Sequence, residues 1–310
     1  MSAPISQRRI STMSTERRNP NSVDIDLFPT ERILKIINSE DATVTSAVCA
    51  AIPEIVKTVD LAVNAIRSGG RMIYVGAGSS GRMAILDAAE CPPTFSSPPE
   101  WVQAIIAGGA KAIEQAVEGA EDSREKGAAD LKAKEIAAND LIVGIAAGGR
   151  TPYTHAALEY ARNQNAKTVA VVAVADSPMA KSADIVICTP VGPEVIAGSS
   201  RMKAGTSQKL VLNMISTASM IRLGMTYSNW MINVNMTNAK LHERGVQILR
   251  EVLGVHAEEA KKLSEASGGR LKLAVIMGTL GCNRKEAEKR LNEGGGNLRK
   301  VLGHLGSGRE

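Results

Sequence analysis

A chain of 310 residues, 44% of them hydrophobic, can bury one large core or one large and one small core. Aromatic residues make up only 3%, too few for base-stacking platforms, so a net charge of +5 argues for an anionic small molecule and against nucleic acid. Cys49, Cys91, Cys188 and Cys282 lie far apart with no C-x-x-C pair, and the four histidines add no metal spacing, so neither a disulfide framework nor a metal site is expected.

No apolar run is long enough to span a bilayer and the N-terminus has no apolar signal-like core, so a cytoplasmic protein is expected. Met1–Asn21 is polar, basic (Arg8, Arg9, Arg17, Arg18) and without period. It reads as a mobile tail, and the tail region is bounded at residue 28. Thr30-Glu31 opens a short helix through Ile33, Leu34, Ile36 and Ile37. A longer helix is expected from Ser46 to Ile66, because Val48, Ile52, Ile55, Val56, Val59 and Val63 recur at helical spacing. Gly69-Gly70 ends it.

Five apolar, β-rich runs follow: Met72–Val75, Val102–Ile106, Leu141–Ile145, Thr168–Val174 and Ile185–Cys188. Helical segments separate most of them. Such alternation indicates an α/β fold, a doubly wound parallel sheet covered on both faces. Ligands of such sheets bind beyond the carboxyl ends of the strands, so the loops there belong together. The first is Gly76-Ala77-Gly78-Ser79-Ser80-Gly81. It matches G-x-G-x-x-G, yet the second strand ends in Ala107-Gly108-Gly109 with no carboxylate for a ribose. A small phosphorylated ligand therefore fits better than a dinucleotide. The loop after strand three carries Gly149, Arg150 and Thr151; the loop after strand five carries Glu194, Ser199 and Ser200. From Ala204 the pattern is helical, and residues 241–310 read as a small helical domain after a main domain over residues 29–240.

Two carboxylates stand near these loops. Glu90 precedes Cys91-Pro92-Pro93, where the first helix is expected to stop. The negative end of the helix dipole disfavours its charged form, which suits a group that carries a proton. Asp122 and Glu125 have capping-box spacing, so Asp122 is expected to cap a helix running to Ile136, leaving Glu121 outside it. Two glutamates in different surroundings can divide acid and base work.

GAGSSGRMAILDAAECPPTF, VEGAEDSREKGAADL, GIAAGGRTPY and GSSRMKAGTSQKLVLNM, in that order, resemble the N-acetylmuramic acid 6-phosphate etherases, which have the SIS (sugar isomerase) fold. The resemblance covers the chain from Leu34 to the C-terminal helices. It implies cleavage of the lactyl ether of N-acetylmuramate 6-phosphate to N-acetylglucosamine 6-phosphate and D-lactate, without cofactor or metal, in cell-wall recycling. It implies catalytic glutamates at Glu90 and Glu121. With it, Gly78, Ser79, Ser80, Gly81, Gly149, Arg150, Thr151, Ser199 and Ser200 are the expected substrate and phosphate contacts. SIS sheets commonly pair, so a homodimer is expected, with Asn238–His242 as an arm and His242 as a candidate partner-supplied group. The rival readings are a sugar-phosphate-sensing regulator and an aldose–ketose isomerase on the same fold.

Overall fold

The computed structural model describes residues 14–234 and 239–303. They form two compact units. One holds the described chain up to Ala89 together with Glu100–Thr217; the other holds Glu90–Pro99 and the described chain from Ala218. The expected helical domain falls within the second unit, which starts earlier in the chain.

The first unit opens with 3-10 turns at Ser14–Glu16, Pro20–Ser22 and Ile25–Leu27. This part of the expected mobile tail is folded, since Asn19 and Ser22 are buried. Polar anchoring, with no apolar period to reveal it, does this. Helices α1 (Thr30–Asp41), α2 (Val44–Ala50) and α3 (Ile52–Arg67) follow. The expected single helix over Ser46–Ile66 is broken at Ala51, because Pro53 has no N–H for the preceding turn and occupies the first turn of α3 instead.

Then come β1 (Met72–Gly76), α4 (Gly78–Phe95), β2 (Val102–Ile106), the short α5 (Lys111–Glu114), α6 (Arg124–Lys132), β3 (Leu141–Ile145), α7 (Pro152–Asn163), β4 (Lys167–Val172), α8 (Pro178–Ser182) and β5 (Ile185–Cys188). The strands form one parallel sheet in the order β2-β1-β3-β4-β5. The sequence places all five strands, with ends within two residues. Every residue of β1 and β3 is buried, as a sheet covered on both faces requires. Ile73, Val75 and Ile142 pack with Leu131, Tyr153 and Leu158 of α6 and α7. Tyr74, one residue out of phase, points to the other face and donates to Asp87 of α4.

At the amino edge of the sheet, Arg71 holds the strands in register. Its Nη2 donates to Asp140 Oδ2 (2.7 Å) and its backbone N–H to Asp140 Oδ1 (2.7 Å). Burial opposes charge on Asp140, yet the bonds from Arg71 and Ala137 hold its carboxyl below the usual range.

Two helix ends differ from expectation. α4 does not stop before Pro92-Pro93 but runs through both to Phe95. Proline's fixed φ suits a helix; what it removes is the N–H to the carbonyl four residues back. The helix ends instead at Ser96, which is left-handed (φ 46°) and donates its N–H to the Pro92 carbonyl. Glu90 therefore lies inside α4, and the dipole effect expected of a helix end does not apply to it. Ser123, not Asp122, caps α6: its Oγ accepts from Lys126 N (3.2 Å), and α6 ends at Lys132, short of Ile136.

Helix α9 (Lys203–Arg222) leads into the second unit, where α10 (Ala239–Leu253), α11 (Ala257–Ala266), α12 (Leu271–Leu280), α13 (Arg284–Glu293) and α14 (Leu298–Leu302) enclose a core including Ile248, Leu249, Leu273 and Ile276. Lys272 is buried in it. Its ammonium donates to the carbonyls of Gly224 (3.0 Å) and Gly296 (2.7 Å). Burial, with some repulsion from Arg270, lowers it to about 8.

Two outcomes follow from this packing. An added Cβ at Gly127 would lie 2.0 Å from the Tyr153 carbonyl oxygen, where α6 meets α7. Gly127→Ala should lower stability by about 1–3 kcal/mol in denaturant melts, the usual range for overpacking. Lys272 sheds its proton more readily folded than unfolded. The stability linked to it is present above 10.5 and lost as pH falls through about 8. Denaturant midpoints measured across that window should rise with pH in the wild type and less steeply in Lys272→Met.

Candidate functional site

The site begins where β1 meets α4. A Cβ on Gly76 would lie 2.8 Å from Gly81 N, and one on Gly81 would lie 2.5 Å from Ile106 Cγ1. Both glycines are therefore required by strand-to-helix packing. Gly78 is left-handed (φ 51°) with open space around it, so its glycine serves the turn itself. The helix starts at Gly78, so Ser79, Ser80 and Gly81 form its first turn rather than a loop. First-turn amides have no acceptor within their helix; the Gly81 N–H donates to the Ala77 carbonyl just before it (3.1 Å), which leaves those of Gly78, Ser79 and Ser80. Ser79 and Ser80 are half-buried, and neither hydroxyl has a partner among the described residues. The chain leaves β1 to one side for β2 and returns to the other side for β3. This is a switch point, with the crevice beyond the carboxyl ends of β1 and β3.

The loop after β3 borders the same crevice, since Gly76 and Ile145 are register partners. Gly149 is left-handed (φ 62°), and a Cβ there would lie 2.3 Å from Ser177 Oγ. Its glycine is explained by packing. Arg150 is exposed and Thr151 half-buried at the start of α7.

The loop after β5 brings in a carboxylate of its own. Glu194, fully buried, accepts from Lys203 N (2.9 Å) and Ala204 N (3.0 Å). The amides that open α9 are thus taken by an internal carboxylate. Ser199 and Ser200 stand half-buried in the turn before α9, with hydroxyls unpartnered among the described residues.

Glu121 sits in a 3-10 turn, Ala120–Asp122, entered through left-handed Gly119 (φ 70°). It is exposed, and it lines a cavity of about 190 Å³ together with Gly78, Arg82, Ala107, Gln115 and Glu118. So the structure brings Glu121 to the mouth of the β1–α4 turn. Arg82 holds this wall: its Nε donates to the Ile113 carbonyl (2.9 Å) and its Nη2 to that of Gln115 (3.0 Å). Nothing in the sequence reading singled out Arg82.

Glu90 is exposed on α4 and does not line that cavity. One turn before it, Asp87 is buried and accepts from Tyr74 OH (2.9 Å) and Ser216 Oγ (3.0 Å). With its amide turned to suit its neighbours, Asn213 donates to the same carboxylate (3.2 Å) and accepts from Lys209 Nζ (2.8 Å). Burial, against these partners, raises the Asp87 carboxyl above its usual range. The signal was present in the sequence: Ala84, Ala88 and Cys91 share the inner face of the helix with one carboxylate among them. His242 is exposed on α10 and lines a separate cavity of about 670 Å³ with Arg250, Lys261 and Glu265. Asn238 lies outside the described residues. Among the described residues no cluster of His, Cys, Asp and Glu could hold a metal ion.

Residues 54–162 match the glucokinase regulatory protein N-terminal SIS domain, and residues 120–218 match the SIS domain. The chain is 48% identical to the N-acetylmuramic acid 6-phosphate etherase of Geobacillus thermodenitrificans over 94% of its own length and 98% of the relative's. It is 48% identical to that of Klebsiella aerogenes, over 94% and 98%. With that of Photorhabdus laumondii the identity is 47%, over 94% and 97%. Among solved structures, a phosphoheptose isomerase from Francisella tularensis aligns at a TM-score of 0.48 and 20% identity, over 60% of this chain and 97% of that one.

The Arg82 tether can be tested directly. Arg82→Gln should speed amide exchange over Gln115–Glu121 by about tenfold, equivalent to ~1.4 kcal/mol of local opening, while the strands keep their protection. Unchanged exchange there would show that the wall stands without the guanidinium.

Proposed function

The chain belongs to the N-acetylmuramic acid 6-phosphate etherase family, and from that premise we propose that it cleaves the D-lactyl ether of N-acetylmuramate 6-phosphate, releasing N-acetylglucosamine 6-phosphate and D-lactate. The observation that carries the reading is the cavity at the switch point, where Glu121 stands beside the first turn of α4. A phosphate fits that turn. It would meet free amides and the hydroxyls of Ser79 and Ser80, an anion at the positive end of a helix. Ser199, Ser200, Arg150 and Thr151 add donors at the same sheet edge. A regulator or an isomerase is not favoured, because the relatives that span the chain carry the etherase name.

The chemistry needs only proton transfers. Ring opening exposes an aldehyde at C1, which acidifies the C2 proton. Glu121 is proposed as the base that removes it. Glu90 is proposed as the acid that protonates the departing lactyl oxygen at C3. Water then adds to the unsaturated aldehyde at C3 and a proton returns to C2, so atoms balance with one water consumed.

A homodimer is proposed, with His242 reaching the partner's site. The Asp87–Ser216 bond sets α4 beside α9, and Leu86 and Met214 on those helices are exposed, an apolar surface suited to a second copy. A cytoplasmic setting is proposed as well: the cysteines are free, and no described helix is long and apolar enough to cross a membrane.

Isotopes test the path. Product formed in D₂O should carry deuterium at C2, and product formed in ¹⁸O-water should carry the label on the C3 oxygen. Label in the lactate instead, or protium kept at C2, would eliminate elimination–hydration. Glu90→Gln and Glu121→Gln should each lose about 10²–10⁴-fold in kcat. Glu90→Gln should still exchange C2 hydrogen in unreacted substrate, whereas Glu121→Gln should not. The reverse pattern would swap the two roles.

Binding is tested separately. Ser80→Ala and Ser199→Ala should raise KM with kcat little changed, each lost charge-assisted bond being worth about 1.5–3 kcal/mol. A large fall in kcat at constant KM would contradict the phosphate assignment.

A further inference from the structure

Between Thr15 and Ser22 the chain is polar, yet Thr15, Asn19 and Ser22 are 2%, 4% and 9% exposed. Burying polar groups is unfavourable unless they find partners; Asn19 and Ser22 find them, while Thr15 Oγ1 has none among the described residues. Asn19 Nδ2 donates to Glu40 Oε2 (2.7 Å) on α1 and to the Pro193 carbonyl (3.1 Å). Asn19 Oδ1 accepts from Asn21 N (2.9 Å), and Asn21 Nδ2 donates to Glu40 Oε1 (2.7 Å). Ser22 Oγ donates to the Val195 carbonyl (2.7 Å).

The same carboxylate reaches further. Glu40 Oε2 takes the ammonium of Lys203 at 2.5 Å, and both side chains are nearly buried. Burial opposes charge on Glu40, and the bonds from Lys203, Asn21 and Asn19 outweigh it. Lys203 also donates its backbone N–H to Glu194 (2.9 Å). These contacts bracket one stretch, Ile196–Met202. Asn19 and Ser22 pin the carbonyls just before it, at Pro193 and Val195. Glu40 and Glu194 pin Lys203 just after it. Within it, Gly198 is left-handed (φ 78°), and a Cβ there would lie 3.2 Å from Glu16 Oε2. The first turn of the N-terminal segment thus rests against the residue preceding Ser199.

A buried ion pair contributes little net stability against a well-packed apolar pair, so its use here is geometric. We propose that Thr15–Ser22 is a strap that positions the substrate loop, holding Ser199 and Ser200, through Asn19, Glu40 and Lys203, in the shape that takes up the sugar phosphate. This rests on the reading that those serines bind the phosphate. The strap residues do not touch substrate themselves. Loosening the strap multiplies the loop conformations that binding must select from, so the effect falls on affinity and not on proton transfer.

The test uses the full chain and N-acetylmuramate 6-phosphate, with steady-state kinetics, thermal melts and amide exchange on Asn19→Ala and Ser199→Ala. Asn19→Ala should raise KM about tenfold, leave kcat within about twofold, and speed exchange over Ile196–Met202 about tenfold, one lost bond's worth. Ser199→Ala should raise KM while its exchange stays that of the wild type. If Asn19→Ala loosens the loop but KM stays put while Ser199→Ala raises it, the strap is mere scaffolding and the proposal fails with the phosphate reading intact. If Asn19→Ala raises KM and Ser199→Ala does not, the serine reading fails and the proposal, which rests on it, fails with it. If neither variant moves KM, both fail. Should Asn19→Ala not fold, Asn21→Ala serves in its place: its side chain is exposed and makes one bond to Glu40, so a KM rise of about two- to threefold is expected, and no rise overturns the strap.

Discussion

The close approach of α4 to the end of β1 sets what the rest of the molecule can do. Gly76 and Gly81 lie so near each other, and Gly81 so near Ile106, that no side chain fits at either. With that spacing the helix begins one residue after Ala77, at the switch point between β1 and β3, with its amides toward the crevice. The same spacing places Arg82 where it can reach the Ile113 and Gln115 carbonyls, and so brings the Glu118–Glu121 wall alongside. A Cβ at Gly81 would lie 2.5 Å from Ile106 Cγ1, so a larger residue there would force α4 or its β2 neighbour to shift.

Buried carboxylates do the remaining structural work, each at a different level of the sheet. Asp140 ties the amino edge through Arg71. Asp87 lies beneath α4, bonded to Tyr74 of β1 and Ser216 of α9. Glu194 fills the start of α9. That last placement separates two helices that otherwise look alike. At the carboxyl edge of the sheet α4 opens on Gly78-Ser79-Ser80, and α9 begins shortly after Gly198-Ser199-Ser200. The start of α9 already holds an anion, so a ligand phosphate there would meet like charge. The start of α4 holds none. This favours amides and hydroxyls from α4, with hydroxyls alone from the α9 side.

Much of this was legible in the residues. The five strands announce themselves as short apolar runs, because a strand buried on both faces has no polar phase to confuse the reading. The glycine loops were found as well, and Gly76, Gly81 and Gly149 are each placed where packing leaves little room for a side chain. The errors have physical causes. Pro92-Pro93 reads as a helix stop because proline restricts the residue before it, but the last turns of α4 tolerate the missing donors. Asp122 and Ser123 are both good caps by type, and only the backbone decides between them. The segment around Asn19 looked unanchored because its partners, Glu40, Pro193 and Val195, are remote in sequence and bind it through polar atoms.

Glu90 and Glu121 are both exposed, and each sits on backbone that is only partly braced. Glu121 stands in a 3-10 turn steadied by Arg82. Glu90 stands in a turn of α4 where Pro92 and Pro93 cannot donate to Ala88 and Ala89, so the Asp87 anchor just before it carries more of the burden of orientation. Proton transfer to and from a sugar is selective only when bulk water is kept from competing. An open carboxylate meets that condition once something covers it. Under the proposed function, bound sugar phosphate would cover one side of Glu121 by filling the cavity. For Glu90, the exposed Leu86 one turn back offers an apolar seat for a covering surface, which in the proposed homodimer a second copy of the chain would supply.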